Sequence, residues 1–562
     1  MKYLLGSAIA LSVVVSVVGA PVERSATEAG TIYGGAIADL DWGRPITSGD
    51  LDGDGYDEVV VAASESFGGV ISRVYVLRGG PGAHGLGSID LTTSDADQVI
   101  LGAAVDDNLG ASMATGDMNG DGVDELILCA SSASFSGVDG RGIAYVIYGG
   151  ADFFDEPVRD LADTANWDMR VLGPVAFGDM GGANLFGGLD AHGAAVGRLN
   201  DDVYGDLVLG VHLADGAAAQ AGRVYVVPGG PWPSGFTRNL AVPGSYLTRI
   251  DGRGNSDELG TVVLTGDLTG DGIDELILPN EYASQGLFTT EGAVHIFRGR
   301  ETWFTFHSLG ASPADITLLG DFNYDKLGAA AVAGDFDGDG VTDLAAAAPG
   351  ADAGTPDSQF GDGFVYGLLG SSEYQTGTHT IDYASATPDF LIVGEFRENL
   401  GVELSVGDFN ADGVDDIAAA ERFGGPSING VVEVLFGRSF SPGATYEAGI
   451  STDLRIVGQA QDRIGFSLWA ADVNNDGLDE VVFGTPFNNG NRGTAYVYTH
   501  VTGDADGDGD VDLGDWAQLQ GCYATATWPD VGACTQFDFD LDEDVDIDDA
   551  ADLAGNLVGP GF

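Results

Sequence analysis

Residues 49–58 read GDLDGDGYDE and put five carboxylates, Asp50, Asp52, Asp54, Asp57 and Glu58, into nine positions of a glycine-rich stretch. Like charges about 5 Å apart repel by roughly 1 kcal/mol per pair even in water, so a fold that keeps them together needs a counter-charge. Asp50, Asp52 and Asp54 stand at positions 1, 3 and 5, Gly55 gives a sharp turn at 6, the Tyr56 carbonyl is free to serve at 7, and Glu58 closes at 9. A flexible ring of six to eight hard oxygens is what calcium takes; magnesium demands a rigid octahedron and keeps its waters.

Six more copies follow, starting at 116, 197, 266, 334, 407 and 471, at intervals of 67, 81, 69, 68, 73 and 64 residues. The ligand sets, each with its position-7 carbonyl donor, are Asp117, Asn119, Asp121, Val123 and Glu125; Asp267, Thr269, Asp271, Ile273 and Glu275; Asp335, Asp337, Asp339, Val341 and Asp343; Asp408, Asn410, Asp412, Val414 and Asp416; and Asp472, Asn474, Asp476, Leu478 and Glu480. An isolated DGDG would be read as an acidic hairpin turn. Recurrence of oxygen donors at fixed positions argues instead for six calcium sites. The third copy, GRLNDDVYGD, has Arg198 at position 1 and Val203 in place of the turn glycine, so no ion is expected there, and the Arg198 guanidinium is expected to reach Asp202 and Asp206 as a substitute cation.

The loops need elements to hold them. Each is followed by a short apolar run (EVVVAA, ELILCA, EVVFGT), then a turn-rich segment, then an alternating run (RVYVL, IAYVI, TAYVY), and most units end on a fourth run such as QVILG or RIVG. Alternation of β-branched and aromatic residues between glycine-rich turns signals strands. The expected architecture is all-β, a seven-bladed propeller of four-stranded blades over residues 31–500. The last unit stops after its third run, and Thr31–Gly34 is an orphan strand expected to complete the seventh blade.

Glycine, seven residues, D-x-D/N-x-D-G-x-x-D/E, an apolar strand and then an alternating strand resembles the FG-GAP repeat of the integrin alpha-chain β-propeller and its bacterial relatives. The resemblance implies calcium loops on one face between the first two strands of each blade, and partners, an extracellular protein or glycan, on the opposite face. The loops that would face a partner are residues 131–142, 212–222, 282–291 and 349–362.

Residues 501–562 read as a second module. Asp504, Asp506, Asp508, Asp510 and Asp515 repeat as Asp538, Asp540, Asp542, Asp544 and Asp549, each set leading into a D-x-A-x-L-x-G run expected to be helical. The duplication is similar to the dockerin family and implies one or two further calcium ions and a cohesin-like partner; Glu543 takes the turn-glycine position of the second loop. A Cys522–Cys534 disulfide is expected to staple this small module. Cys129, in LILCA, is expected to be a buried small hydrophobe.

Lys2, the apolar run after it and Val-Gly-Ala at 18–20 read as a signal peptide over residues 1–20, which makes the expected location secreted or cell-surface, with no membrane-spanning segment once it is removed. Against 22 Lys+Arg stand 87 Asp+Glu, a formal charge of −65 that excludes nucleic acid as a partner. The seven histidines show no metal-site spacing, and no G-x-S-x-G or phosphate-loop motif occurs. A binding rather than a catalytic role is therefore expected, with a glycan-active hydrolase or lyase, or a passive surface component, as the alternatives.

Overall fold

The structure, a computed structural model, describes residues 22–25, 31–34, 41–64, 69–80, 87–90, 96–182, 192–284, 290–321, 324–352, 361–425, 429–458, 463–472, 478–485 and 494–498. Residues 1–20, read above as a signal peptide, residues 501–562 with the expected ligands and the Cys522–Cys534 pair, and Asn474 and Asp476 of the last loop lie outside the described residues. Among the described residues there is no α-helix, and no helix long and apolar enough to cross a membrane.

The chain is an all-β propeller whose described strands form seven sheets. In the second, Leu109–Gly116, Glu125–Ala130, Ile143–Ile147 and Met169–Leu172 run antiparallel in sequence order, from the axis outward. The second strand of each sheet is the apolar run that follows an acidic loop. Both its faces are covered by neighbouring sheets, so ELILCA, DLVLGV and ELILPN are buried at every residue and carry no polar alternation. Cys129 lies in one of these runs, fully buried, its thiol pushed up to about 12 by burial. Packing is between sheets: Val60, Val74 and Ile100 of the first share a core with Met113, Leu128 and Tyr145 of the second.

Each sheet has five strands, not four. After its third strand a unit crosses back to the preceding sheet, lays a short parallel strand on its outer edge, and returns to form its own fourth strand. Val158–Asp160 pairs with Gln98–Leu101 in this way, and Phe236–Asn239 with Met169–Leu172. The added strand covers edge groups that a four-stranded sheet would leave open. The first residues described complete the pattern. Val22–Ser25 lies parallel to Leu454–Val457 as the fifth strand of the sixth sheet, and Thr31–Gly34 pairs antiparallel with Thr494–Tyr498 as the fourth strand of the seventh.

The innermost strands touch in a cycle, with Asp41–Gly49 against both Leu109–Gly116 and Ser467–Ala471. They enclose an axial cavity of about 330 Å³ lined by Ser48, Met113, Ala194, Leu264, Ala331, Leu404 and Trp469, one residue from each sheet.

Candidate metal loops and the axial cavity

Every acidic loop joins an innermost strand to the second strand, so all stand at one end of the propeller. Position 1 organises five of them. Asp50 Oδ1 accepts from the Gly53 and Asp54 N–H groups (2.8 and 3.1 Å) and its Oδ2 from Gly55 N–H (3.1 Å). Asp117, Asp267, Asp335 and Asp408 hold their loops by the same contacts to positions 5 and 6. Position 5 turns the chain out: Asp54, Asp121, Asp271, Asp339 and Asp412 each accept the N–H of position 7, at Tyr56, Val123, Ile273, Val341 and Val414.

Position 9 is the first residue of the second strand, and burial there is close to complete for Glu58, Glu125, Glu275, Asp343, Asp416 and Glu480. Glu58 accepts the Leu51 N–H (2.8 Å), Asp343 that of Phe336 (2.9 Å) and Asp416 that of Phe409 (2.8 Å). Burial, reinforced by neighbouring carboxylates, pushes Glu58, Glu125, Glu275 and Asp416 up to about 8 and Asp343 to about 7. These carboxylates are held in a low-dielectric site where ionisation without a cation is penalised.

Candidate ligand oxygens of Asp50, Asp52 and Glu58 lie within 4.8 Å of one another, as do those of Asp335, Asp337 and Asp343. The residues fit a hard cation on one further ground: Asp52 Oδ1 is buried and has no hydrogen-bond partner, while its Oδ2 lies 3.3 Å from Arg78. In the second, fourth and sixth loops Asn119, Thr269 and Asn410 take position 3; Asn119 and Thr269 lean on the position-9 carboxylate (2.7 and 3.5 Å) and Asn410 on Asp412 (3.1 Å). Of the last loop, Asp472, Leu478 and Glu480 are described.

The third loop departs from expectation. Arg198 does not take the cation's place at the carboxylates; its Nε donates to the backbone carbonyl of Asp202 (3.3 Å). Asp206 is instead satisfied by the Asn200 amide (2.9 Å) and the Gly229 N–H (3.1 Å). Val203, exposed in the same loop, sits where the other loops have glycine.

Position 8 carries a role that a single loop does not reveal. Its N–H donates to the position-1 carbonyl of the preceding loop in all seven cases: Asp57 to Asp472, Asp124 to Asp50, Gly205 to Asp117, Asp274 to Arg198, Thr342 to Asp267, Asp415 to Asp335 and Asp479 to Asp408. At Asp274, Asp415 and Asp479 the carboxylate also accepts the position-1 N–H of the preceding loop, from Arg198 (2.7 Å), Asp335 (2.8 Å) and Asp408 (2.9 Å). The loops thus form one hydrogen-bonded girdle. Glycine precedes six of the seven loops, with Ala471 before the last, and at Gly49 it leaves room for the contact, since a Cβ there would stand 2.6 Å from Asp124 Oδ2. The recurring Asp-Glu and Asp-Asp doublets at positions 8 and 9 were the available signal.

The axial cavity was also not foreseen. His192 of the third sheet's approach faces Glu403 of the sixth (3.5 Å) and stacks on Trp469 of the seventh (6.0 Å between centroids), whose indole N–H donates to Ser48 Oγ (2.8 Å). Glu403 is 2% exposed.

The segments 43–77, 327–368 and 465–498 match the FG-GAP repeat model. The chain is 32% identical over 178 residues to human phosphatidylinositol-glycan-specific phospholipase D, covering 30% of this chain and 19% of that protein. It is 29% identical over 202 residues to integrin alpha pat-2 of Caenorhabditis briggsae, covering 33% and 14%. The chain spans a fifth or less of the length of these relatives. Among solved structures it is similar to a rhamnogalacturonan lyase, at 12% identity and a TM-score of 0.34, over 81% of this chain and 71% of that one. Taken with the sheets, the matched segments show FG-GAP repeats carried on an all-β propeller.

Proposed function

We propose that this chain is a secreted or cell-surface recognition module, a closed seven-bladed propeller stiffened by calcium at six loops, which presents its other face to an extracellular protein or glycan. The observation that carries the calcium reading is the buried position-9 carboxylate that converges with positions 1 and 3 in the first and fifth loops, with Asp52 Oδ1 left unpartnered. A cation there would neutralise charge the fold has already taken out of water; the remaining residues hold the loops in place for it.

The recognition reading rests on the opposite face. Residues 131–142 and 212–222 follow second strands that begin at an acidic loop, so they emerge at the far end; of 282–291 and 349–362, residues 285–289 and 353–360 lie outside the described set. Connecting loops at that same end carry exposed apolar tips, Val105, Phe177 and Phe396, the last two at 70% and 73% exposure. Docking through the 501–562 module, by a cohesin-like partner, belongs to the same proposal. The test is capture of surface components by the calcium-loaded full chain, compared with a Phe177→Ser, Phe396→Ser variant of equal melting temperature. Loss of capture in the variant supports the reading, and equal capture contradicts it.

A second reading, a glycan-active hydrolase or lyase, has one observation in its favour: His192 lines the axial cavity beside Trp469 and faces the buried Glu403 (3.5 Å). Release of reducing or unsaturated ends from polysaccharide, abolished by His192→Ala, would replace the recognition reading. The phospholipase activity named for the curated relatives is not carried over, because so small a share of those proteins is matched.

A further inference from the structure

Five residues beyond position 9, at the far end of the second strand, six sheets place an uncharged residue: Ala63, Ala130, Val211, Asn280, Ala348 and Thr485. The sixth sheet places Glu421 there, fully buried. Its Oε1 accepts the Glu395 N–H (3.1 Å), in the short connection that leads from Phe390–Val393 of the fifth sheet to Leu400–Gly407 of the sixth. Its Oε2 meets no N–H or O–H donor among the described residues. The same connection sends a second carboxyl back. Glu398 is hydrogen-bonded to Glu421 through the two side chains, and its Oε2 also accepts the Gly425 N–H (3.3 Å). Ionised carboxylates offer acceptors only, so a bond between two of them requires one proton held in common.

The charges packed around the pair favour that proton. Arg455, on the fourth strand, bridges Glu395 of the same connection and Glu433 of the third strand at 2.6 Å each, and the Thr452 hydroxyl also donates to Glu433 (2.6 Å). Arg422, next along the chain, lies over the Phe466 ring (4.0 Å) and Arg397 over Phe396 (5.0 Å), while Asp362 of the fifth sheet takes the Arg397 N–H (3.0 Å). Glu395, Glu398, Glu421 and Glu433 thus share the field of one guanidinium that two of them already occupy. Burial first, then the neighbouring carboxylates, hold both Glu398 and Glu421 above the usual carboxylate range.

We propose that Glu398 and Glu421 form a proton-held clasp between the two far-end loops of the sixth sheet that carry Phe396 and Phe423, and that loss of the proton releases both loops. The two rings are 73% and 43% exposed. With the proton in place, Glu421 holds the connection on both sides of Phe396, through the Glu395 N–H and the Glu398 carboxyl, and Glu398 holds the turn after Phe423 through Gly425. Without it, two buried like charges face each other and the loops lose their common anchor. Groups held above their ordinary range in the folded chain contribute most at low pH, and the contribution is lost as pH rises, so the clasp closes in acid and opens in base. Its bearing on recognition rests on the far-face reading above; the clasp itself lies at the end opposite the acidic loops and involves no partner.

The test is hydrogen exchange read by mass spectrometry on the calcium-loaded full chain at about pH 5 and about pH 9, each rate divided by the intrinsic rate at that pH and referred to the core strand Ile143–Ile147. In the wild type, protection of residues 394–400 and 422–425 is expected to fall at least roughly tenfold from the acid to the basic condition. Glu421→Gln sets a permanent amide donor against Glu398, so protection stays level over the same range; Glu398→Gln does this from the other side and serves where the first variant fails to fold. Level protection in the wild type, or the same fall in a folded Glu421→Gln or Glu398→Gln chain, would overturn the proposal. No partner enters the measurement, so that outcome leaves the recognition reading standing, whereas equal capture by the Phe177→Ser, Phe396→Ser variant would remove that reading and leave the clasp.

Discussion

Asp337 and Asp206 are both aspartates of acidic loops, yet their surroundings predict opposite behaviour. Asp337 lies beside Asp335 and Asp343 with only like charge around it, so removing it should hurt the protein when calcium is present and leave it unharmed or steadier in chelator. A site filled at a hundredfold excess over its Kd adds about 2.7 kcal/mol. For Asp337→Ala, thermal unfolding in calcium should show a loss of that order and unfolding in EDTA none; equal losses in both would argue that Asp337 is merely structural. Asp206 is in the loop with no expected ion, and burial pushes it up to about 7 against an ordinary value of 3.8. Its ionisation is penalised in the folded chain, so its contribution is most favourable at low pH and is lost as pH rises. The stability of Asp206→Asn relative to wild type should therefore climb between about pH 4 and pH 7 and level off above, whatever constant offset the lost hydrogen bond adds. A difference that is flat across that range in urea titrations would contradict the burial argument.

At the level of strands and loops, the close passage between sheets is the most demanding feature. Gly110 has φ +82°, and a Cβ there would stand 2.7 Å from the Ala62 Cβ of the neighbouring sheet. Gly110→Ala should cost about 2 kcal/mol or more in urea unfolding, from combined backbone strain and overpacking; a wild-type midpoint would show that the sheets are less tightly apposed. Deleting residues 22–34 removes an outer strand from the sixth sheet and the fourth strand from the seventh, and light scattering should report an aggregating product, where a monomeric folded one would contradict the edge argument. The antiparallel strands were legible because buried alternation such as RVYVL leaves a pattern. The fifth strands were not: Val158–Asp160, His307–Ser308 and Ala444–Glu447 are two to four residues long with no buried residue, and only a neighbour's edge makes them strands. The same division holds for the site. Positions 1, 3, 5 and 9 were readable because their partners lie in the same loop, whereas position 8 reaches the loop of another sheet, and His192 and Glu403 are 211 residues apart.

On the scale of the whole molecule, the girdle of loop-to-loop hydrogen bonds and the cycle of innermost strands make one end of the ring a single acidic surface in a chain of formal charge −65. Six loops that each bind a divalent ion would remove twelve of those charges (6 × 2) from one face, which converts mutual repulsion into a common rim. Calcium loading should then act cooperatively on the fold, since each loop is tied to the next. The most direct measurement is elemental analysis of the purified full chain after exhaustive dialysis against micromolar calcium, paired with its melting curve before and after EDTA. The account predicts six or more calcium ions per chain and a melting temperature that falls steeply on chelation. A chain that retains no alkaline-earth metal, or that melts identically with and without EDTA, would contradict it.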